Sequence, residues 1–95
     1  MKAYVDKIFA ATTIQDVCNA LQTALNDLRA SGYLAEIDDY YENIAARTPD
    51  QVQAWFDDMH DDAQSSAEGP LKEVCGLFDA ALGQLRKFGF HRKNA

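Results

Sequence analysis

Residues 14–33 read IQDVCNALQTALNDLRASGY, and residues 71–90 read LKEVCGLFDAALGQLRKFGF, so one pattern occurs twice in 95 residues. Apolar residues recur in both stretches at the spacing of an amphipathic helix. Each stretch ends at a glycine that suits the left-handed conformation after a last turn. The identical positions are Val17/Val74, Cys18/Cys75, Ala24/Ala81, Leu25/Leu82, Leu28/Leu85, Arg29/Arg86 and Gly32/Gly89. The pattern predicts two core helices, and both a shared helical period and duplication of a helical unit explain the match.

Helical signals also lie before and between these stretches. The stripe Leu34, Ile37, Tyr41 and Ile44 predicts a helix over residues 34–46. Thr48-Pro49-Asp50-Gln51 predicts the start of another over residues 49–66, because it combines a capping Thr, a proline at the first helical position and a Gln that completes a capping box.

No segment alternates with the period of a strand, and the short connections favour antiparallel neighbours. We therefore expect an all-α fold, a small antiparallel bundle of four main helices with a short fifth helix over residues 4–10. The chain is predicted to form a single domain, 1–95, with residues 86–95 as a basic C-terminal tail.

The composition argues against membrane and nucleic-acid binding. No apolar run approaches the ~18 residues of a spanning helix, and the opening stretch MKAYVDKIFAATT makes a poor signal peptide because an aspartate interrupts it. The net charge of −6 disfavours contact with nucleic acid or anionic lipid. We expect a cytoplasmic protein.

The charge is unevenly distributed along the chain. Residues 33–68 carry ten acids and one base, whereas residues 69–95 carry five bases and two acids. The densest part is the stretch DDMHDD at residues 57–62. The middle of the chain is therefore an acidic block, and a basic end follows it.

The stretch DDMHDD does not have the pattern of a metal or catalytic site. It contains one histidine and no glycine for a calcium loop, and a helix points its four carboxylates in different directions. Cys18 and Cys75 are too far apart in sequence to form a metal or redox motif. They are expected to be small buried hydrophobic residues, with a bridge between packed helices as the alternative. We predict no catalytic residues, metal or cofactor.

The acidic block is costly to its own helices. Asp57/Asp61, Asp58/Asp62 and Asp38/Glu42 are like-charged pairs four residues apart, each costing roughly 0.2–0.5 kcal/mol. Asp61 and Asp62 also lie near the negative end of the dipole of their helix, which is unfavourable for acids. The total cost in stability is then about 1–2.5 kcal/mol. Two sources of compensating positive charge fit the sequence. One is the chain's own Arg86, Lys87, Arg92 and Lys93, and the other is a basic partner.

The charge spacing suggests what such a partner binds. Four charges over six helical residues span ~9 Å, close to the charge density of duplex DNA. The general profile is similar, in composition alone, to that of small inhibitors encoded by phages and mobile elements, including DNA-mimic and anti-CRISPR proteins. The candidate partner-binding residues are Glu36, Asp38, Asp39, Tyr40, Glu42, Asp57, Asp58, Asp61 and Asp62.

We therefore expect a non-catalytic inhibitor or regulator that occupies a basic, nucleic-acid-binding surface of a protein partner, without itself binding nucleic acid or a membrane. The alternative is a homo-oligomeric structural or adaptor subunit, such as a homodimer, in which the acids only confer solubility.

Overall fold

The computed structural model describes residues 2–38, 41, 44–66 and 69–91. These residues form a small all-α bundle, as predicted, and none of them lies in a strand. The helices are α1 (Lys2–Ala10), α2 (Ile14–Ala30), α3 (Ala35–Asp38), α4 (Pro49–Ser65) and α5 (Pro70–Lys87). The short helix expected over residues 4–10 is therefore present as α1.

The predicted caps position α2 and α4. The side-chain oxygen of Thr13 accepts a hydrogen bond from the amide of Asp16 at 3.0 Å, which satisfies one free donor in the first turn of α2. At α4, Thr48 accepts from the amide of Gln51 at 3.2 Å, and the Gln51 side chain accepts from the Thr48 amide at 3.3 Å. This reciprocal pair is the capping box that the sequence predicts.

The two matching stretches end in the same backbone geometry. Gly32 has a φ of 79° and Gly89 a φ of 99°, both in the region that side chains with a Cβ rarely adopt. The amide after each glycine donates to the carbonyl five residues earlier, from Tyr33 to Leu28 at 3.0 Å and from Phe90 to Leu85 at 2.9 Å. This is the Schellman motif. Since it occurs at the C-terminus of α2 and at the C-terminus of α5, the two matching stretches are alike in backbone conformation as well as in sequence.

Helix α5 is the common partner of the other helices, since it contacts α1, α2, α3 and α4. The matched apolar positions of α2 and α5 are buried in both helices, including both cysteines. On α5 a second side is also covered. There Leu77 and Gln84 are buried, and the Gln84 side chain donates to the carbonyl of Phe9 in α1 at 3.1 Å.

The predicted helix over residues 34–46 is wrong in its extent. Helix α3 ends at Asp38, and the amide of Tyr41 still donates to the carbonyl of Ile37 at 2.8 Å. Residues 44–46 are not helical, although Ile44 and Ala46 are buried. Side chains of α2 explain the change. The Gln22 side chain accepts from the Ala46 amide at 2.8 Å, and a nitrogen of Arg29 donates to the Ile44 carbonyl. These bonds satisfy backbone groups that a helix would otherwise pair.

Helix α5 also extends into the predicted basic tail, because Arg86 and Lys87 lie in its last turn. Residues 92–95, which include Arg92 and Lys93, are outside the described part of the chain. No described helix combines the length and the apolar character that crossing a membrane requires.

Candidate functional site

The acidic face of α4, defined as Asp57, Asp58, Asp61 and Asp62, is exposed to solvent at all four positions. The opposite side of the same helix is buried through Val52, Met59 and Ala63. Since successive residues turn by about 100° around a helix, the four carboxylates spread over an arc of about 140° that faces away from the core. This geometry presents charge on a convex surface and does not converge on one point.

Tyr41 borders one side of the acidic face. Its hydroxyl donates a hydrogen bond to a carboxylate oxygen of Asp62, and its ring meets Trp55 edge-on, with centroids 6.3 Å apart and planes at 77°. Burial, the bond to Asp62 and the charges of Asp62 and Asp58 raise the pKa of Tyr41 to about 12. The hydroxyl therefore stays protonated as a donor, and it holds the connection between α3 and α4 against the acidic face.

The other side of the acidic face adjoins α5. The side-chain amide of Gln53 donates to Asp57 at 2.9 Å, while the carbonyl oxygen of the same Gln53 is buried and has no partner among the described residues. His60 has its ring centroid 5.0 Å from that of Phe56, and its Nδ1 lies 3.7 Å from a carboxylate oxygen of Asp61. An amide, an imidazole and a phenol hydroxyl therefore contact carboxylates of the acidic face.

The basic residues of α5 lie at two places: Lys72 lines a groove beside α4, and Arg86 and Lys87 lie in the last turn of the helix. Phe56, His60 and Gln64 of α4 line one groove together with Lys72, Gly76 and Asp79 of α5. Arg86 follows Gly76 by ten residues, which places it about 15 Å further along the axis of α5 than Gly76. Within the described residues, no Lys or Arg forms an ion pair with Asp58, Asp61 or Asp62.

Among the remaining predicted site residues, Glu36 is the one whose side chain the structure describes. Glu36 is exposed on α3, which packs on α5, and it lines a cavity of about 210 Å³ with Tyr41 and Leu71. Asp38 ends α3, and its side chain is not described. Asp39, Tyr40 and Glu42 lie outside the described residues. The structure thus brings Tyr41 to the acidic face, a residue that the sequence analysis assigned to the apolar stripe.

A groove of about 230 Å³ between α4 and α5, lined by both His60 and Cys75, was not predicted from the sequence. The two residues are on different helices, so no local motif joins them. Burial and the charge of Asp79 raise the pKa of the Cys75 thiol, which keeps it in the unreactive protonated form. No three potential metal ligands cluster anywhere in the described chain.

The acidic face, with Tyr41 at its border, is therefore the candidate site on geometric grounds. Comparison with known proteins adds no family assignment, since no family model matches the chain and neither a curated protein nor a solved structure shows significant similarity.

Proposed function

We propose that this protein is a non-catalytic binding protein whose acidic face occupies a basic surface on a protein partner, and that this surface is one that ordinarily binds nucleic acid. The observation that carries the proposal is the solvent-exposed row of four aspartates without a Lys or Arg ion pair at Asp58, Asp61 or Asp62 among the described residues. A partner that presents Lys and Arg side chains supplies the missing charge.

The shape of the face supports a binding role over catalysis. Paired carboxylates act as general acid and base when a pocket shifts their pKa values apart, and these carboxylates stand on a convex helix surface. The groove beside them holds the Cys75 thiol in its protonated form, which disfavours nucleophilic attack. A charged convex face is suited instead to electrostatic steering and to contact with a concave basic surface.

The proposal is tested by neutralising the face without changing its shape. The variant Asp58→Asn with Asp61→Asn removes two negative charges. Neither carboxylate forms an ion pair with a Lys or Arg among the described residues. The matched control is Asp6→Asn with Asp27→Asn, which removes two exposed charges from α1 and α2. Proteins captured from the source cells should elute from the first variant at lower salt than from the wild type or the control.

The captured protein provides the second measurement. If it binds a labelled DNA or RNA duplex, the wild-type chain should displace the duplex and the Asp58/Asp61 variant should do so less effectively. Equal elution salt and equal displacement for both variants would contradict the proposal, because the charge on α4 would then make no difference. If the captured protein does not bind nucleic acid, the proposal that the acidic face occupies a nucleic-acid-binding surface is refuted. Only the binding of the acidic face to a basic partner would then stand.

A further inference from the structure

The groove of about 230 Å³ between α4 and α5 adjoins the acidic face. Its α4 wall includes Phe56 and His60, whose partly exposed rings are tilted by 48° with centroids 5.0 Å apart. Asp57 and Asp61 directly follow these two residues in the sequence, and a carboxylate oxygen of Asp61 lies 3.7 Å from Nδ1 of His60. A side chain that enters this α4–α5 groove from a partner therefore passes beside the acidic face.

The α5 wall of the groove is open in its middle and charged on either side. Gly76 contributes no side chain there, and a Cβ at this position would meet no atom within 4 Å. Lys72 and Asp79 line the groove seven residues apart, or about 10.5 Å along the helix. The α4–α5 groove therefore has a positive end and a negative end.

Asp79 supplies the negative end. Its side chain is exposed, and within the described part of the chain it forms no hydrogen bond and no ion pair. Its charge raises the pKa of the Cys75 thiol, one turn earlier on α5, which places the carboxylate close to a buried lining residue of the groove. A donor that enters from outside meets a carboxylate whose acceptor positions are unused by these residues.

The aromatic wall and this carboxylate lie at the same end of the groove. Residues 66–69 connect α4 to α5, and helices that pack side by side across so short a connection run antiparallel. Phe56 lies nine residues before Ser65, where α4 ends, and Asp79 lies nine residues after Pro70, where α5 begins. Phe56 and Asp79 are therefore at about the same level, whereas Lys72 is near the connection.

We propose that the α4–α5 groove receives an arginine side chain of the basic partner, with its guanidinium against the ring of Phe56 and hydrogen-bonded to the carboxylate of Asp79. This inference rests on the proposed function, since the acidic face brings the basic surface of the partner to the groove. The volume suits one side chain, because whole small molecules occupy pockets of about 300–1,000 Å³.

The chemistry of the groove favours arginine over lysine. A guanidinium is planar, so it can stack on an aromatic ring and donate two parallel hydrogen bonds to one carboxylate. A lysine ammonium is a compact point charge and cannot make this paired contact. The acidic face attracts any basic surface through its charge, whereas the groove distinguishes one basic side chain from the other.

Two synthetic peptides of equal length and charge, oligo-arginine and oligo-lysine, test the groove by isothermal titration calorimetry. The wild type should bind the arginine peptide about three- to tenfold more tightly than the lysine peptide. Gly76→Gln should remove most of this preference, because its side chain occupies the groove. The matched control is Gly83→Gln, which adds the same side chain to an exposed glycine of α5 that does not line the groove, and it should keep the wild-type preference.

The contact with the carboxylate has its own measurement. Asp79→Asn keeps the shape of the side chain and should weaken binding of the arginine peptide more than binding of the lysine peptide. In a nitrogen-15 NMR titration of the wild type, the amides of Gly76 and Asp79 should shift more with the arginine peptide than with the lysine peptide. Far-UV circular dichroism establishes that each variant is folded.

The inference and the proposed function fail in different ways. Equal wild-type affinity for the two peptides, or the same preference in Gly76→Gln and Gly83→Gln, would overturn the inference and leave the proposed function standing. Asp58→Asn with Asp61→Asn should weaken both peptides by a similar factor and preserve the preference for arginine. Unchanged affinities in that variant, with the preference still lost in Gly76→Gln, would support the groove and count against the proposed function.

Discussion

Glycine-to-alanine replacement should have opposite effects at different glycines of this chain. Gly76 and Gly83 lie within α5 on its exposed side, and a Cβ at either position would meet no atom within 4 Å. Alanine in a helix interior is favoured over glycine by about 0.8–1.0 kcal/mol, mainly because glycine has more freedom to lose on folding. Each replacement should therefore raise the free energy of unfolding by about 1 kcal/mol.

The two replacements should also be additive. The positions are seven residues apart, or about 10.5 Å along the helix, far enough for independent effects. The double variant should gain about 2 kcal/mol, and in a domain of this size each kcal/mol corresponds to about 4–8 °C in melting temperature.

The glycines at the helix ends provide matched controls. Gly32 and Gly89 have φ values of 79° and 99°, so alanine there should destabilise the fold by about 1–2 kcal/mol although no atom obstructs it. Urea unfolding followed by far-UV circular dichroism measures all four variants, with the slope expected to stay constant. Destabilisation by Gly76→Ala or Gly83→Ala would refute the reasoning, since it would require close packing on this side of α5.

Other predictions concern Tyr41, Gln22 and Cys75. Because the pKa of Tyr41 is raised to about 12 from an ordinary value near 10, stability gained from this group is complete below about pH 10 and falls as the pH rises towards 12. Absorbance titration should show a late-titrating tyrosine that titrates earlier in Asp62→Asn, and an unchanged titration in that variant would contradict the assignment to Tyr41. Gln22→Ala should cost about 1–3 kcal/mol and speed hydrogen exchange at Ala46, whose amide loses its acceptor. The Cys75 thiol should react with a thiol reagent far more slowly in the folded protein than in urea, and equal rates would show that it is not buried.

The parts of the fold that local chemistry determines were predictable from sequence. Thr13 and Thr48 cap their helices through bonds to residues three positions away, and Gly32 and Gly89 end theirs through bonds of similarly short range. Burial was predictable as well, because apolar spacing on a helix follows directly from its period. Helices α2, α4 and α5 were therefore predictable together with their buried faces, the N-caps of α2 and α4 and the terminating glycines of α2 and α5.

What could not be predicted depends on contacts between distant segments. Ile44 lies in the predicted apolar stripe and is buried, but it is not helical, because Arg29 of α2 binds its carbonyl. The hydroxyl of Tyr41 reaches an aspartate 21 residues away, and His60 and Cys75 meet in a groove only when α4 and α5 pack. A single sequence contains no local signal for any of these pairings.

The position of α5 in the chain has a consequence for synthesis. Helix α5 is the shared partner of α1 to α4, and it follows all of them in sequence. The ribosome therefore releases the apolar faces of the earlier helices before the surface that covers them exists. Until α5 emerges, α2 can pack on α1 but lacks its contact with α5, and the nascent chain exposes apolar surface to which chaperones bind and through which aggregation begins.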